Sequence, residues 1–295
     1  MDIQKFVQRR KQKGISQVKL CDGICTQSTL SKLENKGQVP SVRILNQLCQ
    51  RLDMTISDLS KSERPAKQVR LTVLDRVEQQ LMAEQFPAAI KLLATVNVDD
   101  LISKKMRMQY YYLKGMIDTL TSNQTATTMF NFTQILDKLD EEHQTVFSKL
   151  AYLGCGILYA RRDHLGNAEF FFTKVINYLD RARARAKSTI TLADIQYGRI
   201  IMMRYYVAEY QALRKRLADS DASLGEVKKL CAARYLTLFM PRVKLLEANN
   251  AISSGEPSEK ISQLLSEALV FARFNKNSVV ELQAAALKKQ FSELA

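Results

Sequence analysis

The chain has 295 residues, of which 46% are hydrophobic, with 44 Lys and Arg against 30 Asp and Glu and a net charge of +14. That length has room for two packed domains, and the basic balance favours polyanionic partners. No apolar run approaches the ~18–20 residues of a membrane span. The charged start MDIQKFVQRRKQKG lacks the core of a signal peptide. The five cysteines, Cys21, Cys25, Cys49, Cys155 and Cys231, are scattered without CxxC spacing, which fits reduced thiols in a cytoplasmic protein. The excess charge is spread out: residues 1–64 carry 12 Lys/Arg against 6 Asp/Glu, leaving +8 on the remainder. Glycine and proline are scarce, at 10 and 5. Apolar residues recur at three- and four-residue spacing almost throughout, so the predicted fold class is all-α.

Ile3, Phe6 and Val7 form one face of a first helix ending near Gly14, a C-cap residue type. Ser16 can cap a second helix, with Gln17 in its first turn and Leu20, Cys21 and Ile24 inward. Thr26 can cap a third, whose buried face is Leu30 and Leu33. The turn before it, Ile24-Cys25, lacks the glycine usual in a helix-turn-helix. Gln27, Ser28, Thr29, Ser31 and Lys32 occupy the outer or leading face of the third helix. Glutamine can pair with adenine, serine and threonine can donate or accept, and lysine can reach guanine or a phosphate. An ordinary solvated polar face is the competing reading. Gly37 ends this helix and Pro40-Ser41 starts a fourth, with an apolar stripe of Ile44, Leu45, Leu48, Cys49 and Leu52. Thr55–Leu59 closes a fifth short helix.

These residues carry a resemblance. Gln17, Leu20, Cys21, Thr29-Leu30-Ser31, Leu33, Glu34, Gly37, Pro40, Leu45, Leu52 and Leu59 stand where the Cro/cI-type (XRE) helix-turn-helix family has matching residue types. The tetrad Ile24-Cys25-Thr26-Gln27 resembles the PlcR-type branch. The resemblance implies DNA contacts from Gln17, Thr26, Gln27, Ser28, Thr29, Ser31, Lys32 and Lys36. Gln17 would hold a phosphate, Gln27, Ser28, Thr29 and Lys32 would face bases, and Glu34 would fix a helix end. Arg9, Arg10, Lys11, Lys13, Lys19 and Lys36 surround the unit, and some of them are expected to supply sequence-blind phosphate contacts; a solvated surface charge is the competing reading for each.

Residues 1–62 are thus expected to be a DNA-binding domain, 63–70 a linker broken from the start by Pro65, and 71–295 a helical repeat domain. Tyr152, Gly156, Tyr159, Ala168 and Phe172 fall at the spacing of a tetratricopeptide repeat. Residues 73–95, 111–132 and 243–271 fit it weakly. Helix pairs are predicted at 71–95, 99–139, 143–180, 188–218 with 222–240, and 243–274, with a last helix at 278–293. The expected architecture is a right-handed α-solenoid of degenerate repeat pairs with a concave surface. The run Arg181–Lys187 reads as a solvated loop or helix end.

A helix-turn-helix followed by such repeats looks like the peptide-responsive regulators of Gram-positive bacteria, the PlcR, Rgg and PrgX group. That resemblance implies a homodimer, a pseudo-palindromic double-stranded DNA operator and a short signalling peptide in the concave groove. Asparagine and arginine can clamp a peptide backbone and its carboxylate. On that basis Asn131, Gln134, Asn167, Arg199 and Arg204, with Tyr112 and Tyr205 as walls, are candidate peptide contacts. Packing at the surface or between helices is the competing reading for each. His143 and His164 lie in no metal-ligand spacing, there is no P-loop, and Gly154-Cys155-Gly156 falls inside a helix. No catalytic residue, metal or cofactor is expected. Three functions stay open: a peptide-gated regulator, a dimeric regulator whose repeats bind a protein partner or only oligomerise, and a scaffold whose N-terminal bundle binds protein.

Overall fold

The computed structural model describes residues 3–52, 54, 59, 72–122, 124–185 and 194–292. The chain divides into two compact units, Met1–Arg70 and Leu71–Ala295. The fifth helix expected at Thr55–Leu59 lies almost wholly outside the described residues, as do the linker and the end of the basic run after Arg185. No strand occurs among the described residues.

The first unit contains α1 (Ile3–Gln12), α2 (Gln17–Cys21), α3 (Gln27–Lys36) and α4 (Val42–Arg51). Phe6, Leu20, Cys21, Leu30, Leu33, Leu45, Leu48, Cys49 and Leu52 share one core. The turn between α2 and α3 contains the glycine that the sequence reading missed. Gly23 sits there at φ 68, a left-handed conformation disfavoured for side chains with a Cβ. The turn therefore spans Asp22–Cys25, longer than the Ile24-Cys25 step read from the sequence. Arg51 of α4 donates through Nη1 to the carbonyls of Leu20 at 3.1 Å and Asp22 at 2.6 Å. This satisfies carbonyls at the end of α2, which a five-residue helix leaves open.

The second unit runs α5 (Val73–Met82), α6 (Phe86–Leu93), a 3-10 turn at Val98–Asp100, α7 (Lys104–Thr121), α8 (Thr125–Thr133), a π-helical turn at Gln134–Leu139, α9 (Val146–Ala160), α10 (Leu165–Arg185), α11 (Asp194–Leu213), α12 (Leu217–Ala233), α13 (Met240–Ser253), α14 (Ser258–Phe274) and α15 (Ser278–Ser292). Each odd helix from α5 to α13 pairs with its successor, and the odd helices also lie side by side in sequence order. Tight turns make this possible. Glu84, Asp163, Lys215, Tyr235 and Lys276 adopt φ between 54 and 60 in the turns after α5, α9, α11, α12 and α14. The next backbone N–H then bonds back to the helix, as in Gln85 to Gln80 and Asn277 to Ala272. This is the hydrogen-bond pattern of a Schellman cap, accomplished here mostly without glycine.

Aromatic rings and glycines set the spacing between α7, α8 and α9. Phe132 is fully buried. A Cβ on Gly115 would lie 2.5 Å from its ring, and one on Gly154 would lie 2.1 Å from it. Gly156 does the same for Phe172, at 3.0 Å. Gly156 and Phe172 are two of the positions that define the repeat pattern.

The odd helices do not form an open row. α5 also touches α11, three pairs further on. A fully buried Glu78 on α5 receives Nε and Nη2 of Arg199 on α11 at 2.6 and 2.7 Å. Gln109 of α7 bridges Glu78 at 2.9 Å and Asp75 at 3.0 Å. The Arg199 guanidinium lies 4.8 Å from the ring of Phe147 on α9. Burial opposes the charge on Arg199, but hydrogen bonds and attraction from Glu78 hold its pKa above the ordinary value. Four odd helices thus meet at one ion pair.

Removing one partner of a buried pair leaves an unpaired charge and costs ~3–5 kcal/mol. Arg199→Met should destabilise the helical unit by about that amount. Glu78→Leu with Arg199→Met should lose clearly less than the two single losses added together, as read from urea denaturation. Gly154→Ala should cost ~1–3 kcal/mol through overpacking. Phe132→Leu in the same chain should recover part of that loss in thermal melts.

Candidate functional site

The first candidate site is the face of α3. Ser16 and Thr26 cap α2 and α3, accepting from the backbone N–H of Lys19 at 3.2 Å and Thr29 at 3.3 Å. Thr26 and Thr29 also share a hydroxyl hydrogen bond of 2.9 Å. Their hydroxyls are therefore committed to the helix start. Ser31 is half-buried and accepts from Asn35 at 3.1 Å. Gln27, Ser28, Lys32 and Lys36 are exposed.

A polar network beneath this face fixes its position. Arg10 of α1 donates Nε and Nη2 to the two oxygens of Glu34 on α3, at 2.7 and 2.9 Å. Its Nη1 donates to the Ile15 carbonyl at 2.9 Å. Gln17 of α2 donates Nε2 to the same Glu34 at 2.7 Å. The Arg10 and Glu34 side chains are only 12% and 4% exposed. This corrects the sequence reading in three ways. Arg10 is a structural arginine, already spent inside the domain, and not a phosphate contact. Glu34 joins three helices and does more than close one. Gln17 is anchored by Glu34, leaving one amide N–H for a phosphate. A carboxylate forked by an arginine and capped by an amide holds α1, α2 and α3 in register.

The second candidate site is the row of odd helices, and most sequence-predicted peptide contacts do not face open space there. Tyr112 is fully buried, and burial, followed by the nearby Glu78, holds its pKa well above the ordinary value. Arg199 is 3% exposed and bound to Glu78. Asn131 is 5% exposed and donates to the Thr127 carbonyl at 3.0 Å and weakly to Asp118 at 3.4 Å. Arg204 pairs with Glu226 at 2.9 Å and Asp180 at 3.8 Å. Gln134 is half-buried in the π-helical turn, and Asn167 is exposed in the first turn of α10. For Tyr112 and Arg199 the physical reason is α5, which packs against α7 and α11 and carries Glu78; Asn131 is held by its own helix and α7, and Arg204 by α10 and α12. Tyr205, by contrast, borders a cavity.

That cavity, about 390 Å³, lies between α11, α13 and α15. Tyr205 and Glu209 of α11, Arg242 and Asn249 of α13, and Gln283 of α15 supply its polar groups; Leu246 and Leu287 are among its apolar ones. The volume and the mix of apolar wall with a few converging polar groups suit a small ligand or peptide end. Tyr205 donates to Glu209 at 3.1 Å. Burial pushes the Glu209 carboxyl up, against the pull of Arg161 and Arg242. A second cavity of about 380 Å³ lies at the ends of α7 and α9, beside Leu120, Leu158 and Arg161. Sequence reading missed Glu209, Arg242, Asn249 and Gln283. The available signal was the spacing of Arg242, Leu245, Leu246 and Asn249, which puts two polar groups on one apolar helix stripe. No cluster of residues able to hold a metal ion occurs among the described residues. No helix among them is long and apolar enough to cross a membrane.

Residues 7–59 match the helix-turn-helix family. No curated protein sequence is similar to the chain. Among solved structures, ComR from S. thermophilus in complex with DNA and its signalling peptide ComS superposes with a TM-score of 0.60 at 15% identity, over 97% of this chain and 98% of that one. PlcR of Bacillus thuringiensis in complex with the peptide PapR7 and DNA gives 0.57 at 13% identity, over 98% of each chain. The apo form of ComR from S. thermophilus gives 0.53 at 15%, over 97% of each. The N-terminal unit therefore carries a helix-turn-helix, and the whole chain shares the all-helical fold of these structures.

Proposed function

We propose that the protein is a sequence-specific DNA-binding transcriptional regulator, controlled by a short signalling peptide bound on its helical repeats. The observation that carries the DNA half is the exposed polar edge of α3, Gln27, Ser28 and Lys32, held by the part-buried Arg10–Glu34–Gln17 network. The peptide half is supported by the cavity along α11, α13 and α15 and by the fold shared with ComR and PlcR, which were solved with DNA and peptides. Gln27, Ser28 and Lys32 read bases; Thr26 and Thr29 shape the start of α3, and Ser31 supports it. Gln17 and Lys36 contact phosphate. The regulator acts as a homodimer in the cytoplasm, and neither unit is assigned a catalytic role. The second reading, a dimeric regulator indifferent to peptide, is favoured by the burial of Tyr112, Asn131 and Arg199.

Each lost base contact costs ~1–3 kcal/mol of discrimination. Gln27→Ala and Lys32→Ala should therefore each weaken operator binding and relax specificity at one position, measured by fluorescence anisotropy on selected and scrambled sites. Full retention of affinity in the double variant would remove the DNA reading. Lys36→Ala should weaken both sites alike and reduce the salt slope by about 0.9. Binding-site selection from a random DNA library should return a pseudo-palindrome whose half-sites lie about one helical turn, ~34 Å, or a multiple apart. An asymmetric site would exclude the homodimer. Calorimetry with secreted short peptides should detect binding to the wild-type chain, and a response of operator affinity to peptide separates the two readings.

A further inference from the structure

Arg242 stands at the edge of the α11–α13–α15 cavity and is already holding a carboxylate. Its Nε donates to Glu84 Oε1 at 2.7 Å, and its Nη1 to Gln283 Oε1 at 3.2 Å. Glu84 belongs to the distant turn between α5 and α6. It has φ 56, in the left-handed region that non-glycine residues rarely occupy. The other Glu84 oxygen accepts from Asn277 Nδ2 at 2.7 Å, and the adjacent Gln85 donates to the Lys276 carbonyl at 3.0 Å. Three polar tethers thus pin the first hairpin to α13 and to the turn before α15.

The chemistry around Arg242 fits a ligand as well as it fits Glu84. A guanidinium flanked by the amides of Asn249 and Gln283 and the phenol of Tyr205, above leucines, matches an apolar peptide ending in a carboxylate. The charged groups that act on this point are Arg242, Glu84, Glu209 and Arg161. Burial raises the Glu209 carboxyl above its ordinary value, against the pull of Arg161 and Arg242.

We infer that Arg242 is a carboxylate subsite occupied internally by Glu84, and that the ligand of the cavity is a short apolar peptide whose free carboxylate displaces Glu84 and loosens the turn end of the α5–α6 hairpin, while the Glu78–Arg199 pair keeps α5 on α11. This rests on the peptide reading above and adds the ligand's chemical class and the consequence of its binding. The consequence matters because α5 is the first helix of the chain after the N-terminal unit. A ligand that changes how α5 is held acts on the first helix of the second unit.

The test uses the full chain and an affinity selection from synthetic apolar heptapeptides with free C-termini. Every retained peptide is measured again as its C-terminal amide, and hydrogen exchange is followed in residues 73–93. Amidation should weaken binding roughly tenfold or more, the loss of one charge-assisted contact. Glu84→Gln should bind the same peptides more tightly, and Arg242→Gln should lose them. Exchange in residues 73–93 should rise on peptide binding, and also without peptide in Glu84→Gln and Asn277→Ala. Indifference to amidation, or unchanged exchange in both ligand-free variants, overturns the inference. Retention of no peptide by the wild type or by Glu84→Gln overturns the peptide reading and the ligand assigned to Arg242. The ligand-free exchange of Glu84→Gln and Asn277→Ala then decides the internal tether by itself.

Discussion

The meeting of Glu78 and Arg199 is the constraint on which the helical unit depends. An array of helix pairs joined only to their neighbours is quasi-linear, and nothing in that logic brings the first pair to the fourth. Here a forked ion pair does so, at 2.6 and 2.7 Å, with Gln109 and the Phe147 ring completing its surroundings. A buried charge without its partner is far costlier than the pair, so α5 cannot leave α11 without penalty. The row of odd helices is forced into a closed curve, and α5 fills the part that would otherwise be open.

This closure decides where a ligand can go. Tyr112, Asn131 and Arg199 have the side chains of a peptide-binding surface, yet they are consumed by internal contacts. The open part of the row moves to α11, α13 and α15. There Arg242 and Glu84 repeat on a smaller scale the arrangement at Arg199 and Glu78. The two pairs differ in surroundings: the side chains of Arg199 and Glu78 are 4% and 0% exposed, whereas those of Arg242 and Glu84 are 24% and 12% exposed. The first is a fixed structural element. The second has access to solvent and to a cavity, so exchange of its carboxylate is feasible.

The same rule of spent and unspent charge organises the N-terminal unit. Arg10 and Glu34 look like surface charges in the sequence, one among six basic residues and one on a polar helix. Packed together with Gln17 they are the internal frame of the helix-turn-helix, and what remains exposed on α3 is a short polar set. Arg51 is a comparable case, since its guanidinium closes the carbonyl end of α2. None of these partners is near in sequence, so pattern alone does not pair them.

The amino-acid sequence by itself determined the elements. Helical periodicity, the caps Ser16 and Thr26, Gly37 and the aromatic-glycine spacing at 152–172 are local, because the physics of capping and amphipathic packing acts within a few residues. The helix pairs read from it fall close to the observed ones, and the helix-turn-helix was recognisable from residue types at fixed spacing. Only the tertiary structure decided which polar residues are available. Whether Arg199 or Arg242 can receive a ligand depends on a carboxylate more than a hundred residues away in each case, at Glu78 and Glu84. An ionic contact has no period along the chain, so its partner becomes visible only once the helices have packed.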